Sequence, residues 1–210
     1  MKANLVLLVV ALALSSPLSS ALRASTLLSG FEGDLSTTLG PSWATSLTRN
    51  YVGTGATQGA NAIQLSHGTG WTQDFSLDGG GALAELVASS DTFQIDTTTP
   101  GTTSWRQLFV VMQGANQGWS QTQFDLTANA TGTVTLDLNT SGIKANALAG
   151  DKTWWKIHLI FQGGDDPSSN PIQTTLDNVR FNSSVPEPGT LALFLVAGCG
   201  MLLARRKVSS

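Results

Sequence analysis

Residues 154–161 alternate without a break. Trp155, Ile157, Leu159 and Phe161 fall on one side, and Trp154, Lys156, His158 and Ile160 on the other. A side-chain period of two belongs to an extended strand and cannot be met by a helix, whose period is 3.6. The same pattern recurs along the chain. Val134, Leu136 and Leu138 alternate with Thr133, Thr135 and Asp137; Phe93 and Ile95 alternate with Thr92, Gln94 and Asp96. Trp71, Gln73, Phe75 and Leu77 are expected to share a side. Leu108 to Met112 is an unbroken apolar run, as in a central strand covered on both faces. Turn-forming groups separate these runs: Asp78-Gly79-Gly80-Gly81, Thr99-Pro100-Gly101, Gln113-Gly114, Ser141-Gly142 and Gly163-Gly164-Asp165-Asp166-Pro167. Only Ala82 to Ser90 reads as a short helix. Many short strands with turns between them predict an all-β fold, an antiparallel β-sandwich. No repeat of solenoid or propeller period is present.

Composition agrees and narrows the function. Charged residues make up 12% of the 210, about half the usual share, and the chain contains 22 Gly. The formal net charge of −3 excludes the basic face that nucleic acid requires. Two His and one Cys exclude a Cys/His zinc cluster and a disulfide framework.

The two ends read as addresses. Residues 1–21 have a secretory signal peptide's layout: Lys2, the apolar run Leu5 to Leu14, the break at Pro17, and small residues up to Ala21. The other end, residues 185–210, has three parts in order: Pro186-Glu187-Pro188, an apolar stretch from Thr190 to Ala204, and the basic cluster Arg205-Arg206-Lys207. About 15 apolar residues make a helix of roughly 22 Å, a short transmembrane anchor. The basic cluster sets its topology with the last residues on the cytoplasmic side. This tail closely resembles the PEP-CTERM sorting signal of exopolysaccharide-producing Gram-negative bacteria. The resemblance implies passage through the secretion translocon, a transient membrane anchor, and cleavage near Pro186-Glu187-Pro188 by an exosortase. The expected destination is the cell surface or the extracellular matrix.

The remaining body, residues 22–184, keeps seven basic and thirteen acidic side chains and stands near −6. Gly30-Phe31-Glu32-Gly33-Asp34 near its start and Thr175-Leu176-Asp177-Asn178-Val179-Arg180-Phe181 at its end resemble the first and last strands of the galactose-binding-like jelly roll of carbohydrate-binding modules. Gly59 to Leu65 resembles a further marker of that fold. The resemblance implies one structural Ca²⁺ held by Glu32 and Asp177, with Asp34 as a third carboxylate. Such an ion takes six to eight oxygens. Leu176-Asp177-Asn178-Val179 also breaks alternation, which places Asp177 at a bulge or strand end.

Sugar rings pack their C–H faces on flat aromatic side chains while amides and charged groups order the hydroxyls. Trp155 belongs to an apolar stripe and is expected in the core. Trp154 shares its side with Lys156 and His158, and Trp119 lies in the loop-like Gly118-Trp119-Ser120-Gln121. Trp119, Trp154, Lys156 and His158 are therefore the candidate ligand residues. No G-x-S-x-G or H-E-x-x-H motif is present, and no acidic pair is singled out by spacing, so no catalytic residue is assigned. The expected function is an exported, non-enzymatic protein whose body binds exopolysaccharide. A purely structural matrix protein and a secreted glycan hydrolase are the rival readings. Exposed Trp beside polar side chains would favour binding, and burial of every Trp would favour the structural reading.

Overall fold

A computed structural model describes residues 23–101, 105–115, 117–164 and 172–184. The expected signal peptide (1–21) and the sorting tail with its apolar stretch and basic cluster (185–210) lie outside the described residues. Among those described, no helix is long and apolar enough to cross a membrane. Ser25–Ser183 forms one compact unit. Among the described residues its apolar core comes from residues 28–181, so the body is built to fold by itself.

Eleven described strands make two antiparallel sheets, in agreement with the alternation. In chain order they are β1 (Arg23–Ser29), β2 (Ala44–Thr45), β3 (Thr48–Val52), β4 (Ala62–His67), β5 (Thr72–Asp78), β6 (Thr92–Thr99), β7 (Arg106–Gly114), β8 (Gly118–Leu126), β9 (Ala130–Asp137), β10 (Trp155–Gly163) and β11 (Ile172–Ser184). Sheet one runs β3-β4-β11-β6-β9, with β1 added to β11; sheet two runs β2-β5-β10-β7-β8. From β4 to β7 successive strands alternate between the sheets, as a jelly roll requires. Inward side chains of both sheets fill the core: Phe93, Ile95, Val134, Leu136, Leu176 and Phe181 from sheet one, Phe75, Leu77, Val110, Met112, Trp155, Ile157, Leu159 and Phe161 from sheet two.

Two helices interrupt the strands, α1 (Gly80–Ser89) and α2 (Ile143–Ala149). The first matches the expected helix. The second is a seven-residue segment whose turn signal, Gly142 at φ 74°, is also its N-cap. Gly114 has a packing role at the end of β7. A β-carbon there would stand 2.5 Å from the Trp155 ring, so the absence of a side chain is what seats the largest residue of the core.

Two expectations need correction. Trp119 lies within β8, not in a loop. Trp71 does not share the side of Phe75 and Leu77. Leu159 pairs with Phe75 while Phe161 pairs with Thr72, so β5 carries one extra residue at a bulge. The bulge flips the parity beyond it and delivers Trp71 to the outer face of sheet two. By contrast, the break expected at Asp177 is where the β11–β6 register shifts, between Asp177 and Arg180, with Asn178 at φ 48°.

Candidate functional site

The register of sheet two fixes what its outer face displays. On β10 the core stripe leaves Lys156, His158 and Ile160 pointing outward. Their partners on β7 are Gln113, Val111 and Phe109, and beyond those on β8 stand Trp119, Gln121 and Gln123. Phe109, Val111 and Ile160 are buried and form a small apolar cluster of their own, separate from the main core. Trp71 covers this floor, its ring 4.6 Å from that of Phe109. The Trp119 ring leans to within 5.6 Å of the His158 ring. Trp154, immediately before β10, lies beside Lys156, whose Nζ is 6.0 Å from its ring centroid.

Four of the six Trp are exposed: Trp71 (41%), Trp105 (52%), Trp119 (47%) and Trp154 (38%), whereas Trp155 is 1% exposed. The alternation-based distinction between the two neighbours therefore holds in the structure. Measured along β7, the exposed rings stand in order. Trp105 precedes the strand, Trp71 stands at the level of Phe109, Trp119 is opposite Gln113, and Trp154 is level with the strand's end. Nine strand residues span about 30 Å. Trp105 is held at one end by Gly164, whose N–H donates to the Trp105 carbonyl and which has no side chain to displace the indole.

Hydrogen-bonding groups edge this aromatic line. The Trp119 indole N–H donates to Gln121 Oε1, and Gln107 and Gln123 both donate to Asp125 Oδ1. Lys156 pairs with Asp78 at 2.9 Å. His158 Nε2 is buried without a hydrogen-bond partner. Burial and the nearby Lys156 ammonium lower the His158 pKa, against the opposing pull of Asp78. At neutral pH its imidazole is uncharged. The face thus combines flat rings, amides, one carboxylate–ammonium pair and a neutral imidazole.

Of the predicted ligand residues, the structure brings Trp119, Trp154, Lys156 and His158 to this one face. It adds Trp71, Phe109, Gln121 and Asp125, which sequence reasoning missed. The Trp119/Gln121/Gln123/Asp125 alternation is visible in the sequence and would have revealed half of them. The bulge that moves Trp71 leaves no local signature.

The predicted calcium carboxylates are placed elsewhere, around residues 53–61. Glu32 follows Phe31, a bulky residue in the left-handed region (φ 52°). Phe31 is locked there by Trp43 and Phe75, whose rings stack at 4.8 Å. Its strained backbone aims the Glu32 carboxylate at the loop, where it accepts the N–H groups of Ala60 and Asn61. Gly59 passes so close that any side chain there would collide with Glu32. Asp177, fully buried, accepts N–H groups from Thr57 and Gln58 at 2.5 and 2.7 Å. Glu32 and Asp177 therefore hold the same loop from two sides. Gln58 Oε1 is buried there without a donor, against Gly30. Asp34 is not brought in: it is exposed and accepts from the amide and hydroxyl of Ser36, which hold its pKa below the usual value. Among the described residues no three acidic, His or Cys side chains converge on one point.

Asp96 is the cross-strand partner of Asp177. Burial pushes its carboxyl up, but hydrogen bonds from Thr57, Thr133, Asn178 and Arg180 outweigh this and hold it low. Both carboxylates are covered and engaged by neighbouring donors, although among the described residues Asp177 Oδ1 accepts only the Asn178 N–H, so this acidic pair offers no general acid or base to a substrate in solution.

No protein-family model matches the chain, and no curated protein matches it. Solved structures give distant likenesses. A xylan-binding domain of carbohydrate-binding module family 22 aligns at TM-score 0.47 and 11% identity, over 74% of this chain and 92% of that one. The C-terminal family 22 module of Clostridium thermocellum Xyn10B aligns at 0.48 and 12%, over 76% and 94%. A family 11 module from the same organism, solved with a mixed-linked β-1,3-1,4 tetrasaccharide, aligns at 0.45 and 13%, over 80% and 100%. At such scores and identities, any ligand must be read from this chain's own residues.

Proposed function

We propose that the outer face of sheet two is a binding platform for an extended, neutral polysaccharide, and that the protein is exported to hold such a polymer at the cell surface or in the surrounding matrix. The observation that carries this reading is the line of exposed Trp71, Trp119 and Trp154 over the apolar floor of Phe109, Val111 and Ile160. A body of this size without a ligand would gain by burying such rings, since each is worth several kcal/mol when removed from water. Sugar C–H faces stack on the rings, and Gln107, Gln121, Gln123 and Lys156 order the hydroxyls. From the level of Phe109 to the end of β7 this line covers roughly 17 Å, which suits several consecutive sugar units rather than a single chain end. The body's negative charge disfavours a polyanionic glycan. Affinity electrophoresis of residues 22–184 through gels containing neutral or acidic polysaccharides tests the idea. Retardation by a neutral polymer supports it; unretarded migration in every gel favours the purely structural reading.

The same reading includes export and sorting. Intact-mass measurement of the native protein should find residues 1–21 removed and the chain ending near Pro188. Retention of Arg205, Arg206 and Lys207 in most molecules would count against cleavage by an exosortase. It also includes one Ca²⁺ at the loop of residues 53–61. The donor set there, Glu32, Asp177 and the unpartnered Gln58 Oε1, consists of oxygens of the kind that ion takes. Bound there, the ion would tie β11 to the segment following β1; Asp34 has no part in it.

A further inference from the structure

The strand at the end of sheet two, β8, is an open edge. It pairs only with β7, over nine continuous residue pairs from Arg106↔Leu126 to Gly114↔Gly118. Alternate backbone N–H and C=O groups on its far side therefore have no strand partner among the described residues. Proteins blunt such edges with Lys, Pro, a bulge or a very short strand. The opposite edge of sheet two follows the rule, since β2 has two residues. β8 does not: Gly118-Trp-Ser-Gln-Thr-Gln-Phe-Asp-Leu126 has no Lys, no Pro and no bulge, and Asp125 is its only charge. At the two ends of the sheet-one order, β9 is weakened by Gly132 in its interior, and β3 has only five residues and carries Arg49, which leaves the nine-residue β8 the better template.

The strand is also complementary to itself. A two-fold axis through Thr122 sets two antiparallel copies of β8 in register. Gln121 then faces the second copy's Gln123, Ser120 faces Phe124, and Trp119 faces Asp125. No like charges meet, and the glutamine pairs supply matching donors and acceptors. We infer that the protein forms a two-fold dimer by β8–β8 pairing with a second copy of this chain, joining two copies of sheet two into one continuous ten-stranded sheet. The outer face of one copy then continues into that of the other, and the aromatic surface doubles in width.

The test is the solution mass of residues 22–184 by light scattering, with the fold checked by circular dichroism. Wild type should show twice the mass of one chain. Gln121→Lys/Gln123→Lys places like charges opposite each other across the axis and should halve that mass. Gln121→Lys/Gln123→Glu alters the same two exposed positions, sets Lys against Glu, and should keep the doubled mass. Hydrogen exchange on the wild type provides a check independent of any substitution: amides on the far side of β8 should exchange slowly. A single-chain mass for wild type, or fast exchange at those amides, overturns the inference. So does a doubled mass in the folded Lys/Lys variant. Neither readout involves sugar, so failure here leaves the platform reading standing.

Discussion

Trp154 and Trp155 are adjacent, and their opposite fates follow from one rule of extended backbone. Trp155→Ala empties a site bounded by Gly114 and the core and should cost roughly 3–5 kcal/mol of folding stability. Trp154→Ala removes a ring already 38% exposed and should cost less than about 1 kcal/mol. Denaturant melts of the two variants check this, and equal losses would contradict it. A second residue-scale prediction concerns His67. Its ring is buried against Phe161, with Nδ1 on the Gly68 carbonyl and Nε2 on the Thr174 hydroxyl. Burial and the Arg106 guanidinium lower its pKa from 6.5, although the Gly68 carbonyl pulls the other way. The unfolded chain therefore binds a proton more readily than the folded one. Stability is full above pH 6.5 and falls as the pH drops from there towards the lowered folded pKa. His158 shifts in the same direction, so His67→Gln should shrink the loss of melting temperature between pH 7.5 and pH 5.5 without abolishing it. An unchanged difference would show that His67 contributes nothing.

At the scale of elements, the strands were legible wherever apolar and polar residues alternate under one covered face, as in β6, β9 and β10. They were less legible where exposed aromatic rings line the outer face of sheet two. In β8, Trp119 replaces the polar residue that normally marks the solvent side, so the start of the strand resembles a polar loop. The bulge in β5 is invisible because it arises from pairing with β10, not from any residue in β5. The seven residues of α2 are too few to show a helical period. The loop of residues 53–61 was legible only in its anchors: alternation failed at Asp177 because a bulge turns that carboxylate onto the loop. Asp177→Ala strands the N–H groups of Thr57 and Gln58 and should cost roughly 2–4 kcal/mol. If Ca²⁺ also holds the loop, EDTA should lower the melting temperature of wild type and not that of Asp177→Ala. At a hundredfold excess over Kd the ion would contribute about 2.7 kcal/mol. An identical wild-type melt in EDTA, with no calcium found by elemental analysis, would mean that hydrogen bonds alone secure the loop.

For the whole molecule, the division of labour lies between faces. The interior of the sandwich supplies stability through alternating side chains from both sheets. The Asp96–Asp177–Arg180 network beneath Thr57 joins three strands and a loop without offering chemistry to solvent. Among the described residues, the outer face of sheet two gathers exposed tryptophans with amides and an ion pair, and the proposed binding role rests on that concentration. The most direct test is isothermal titration of residues 22–184 with the neutral polysaccharide that retards it most, comparing wild type with Trp71→Ala, Trp119→Ala and the control Trp43→Phe in the core. Each platform variant should lose about 1 kcal/mol or more of binding free energy, about fivefold or more in Kd, while its melting temperature stays close to wild type. Trp43→Phe should lower stability and leave Kd unchanged. Wild-type affinity in both platform variants would contradict the account.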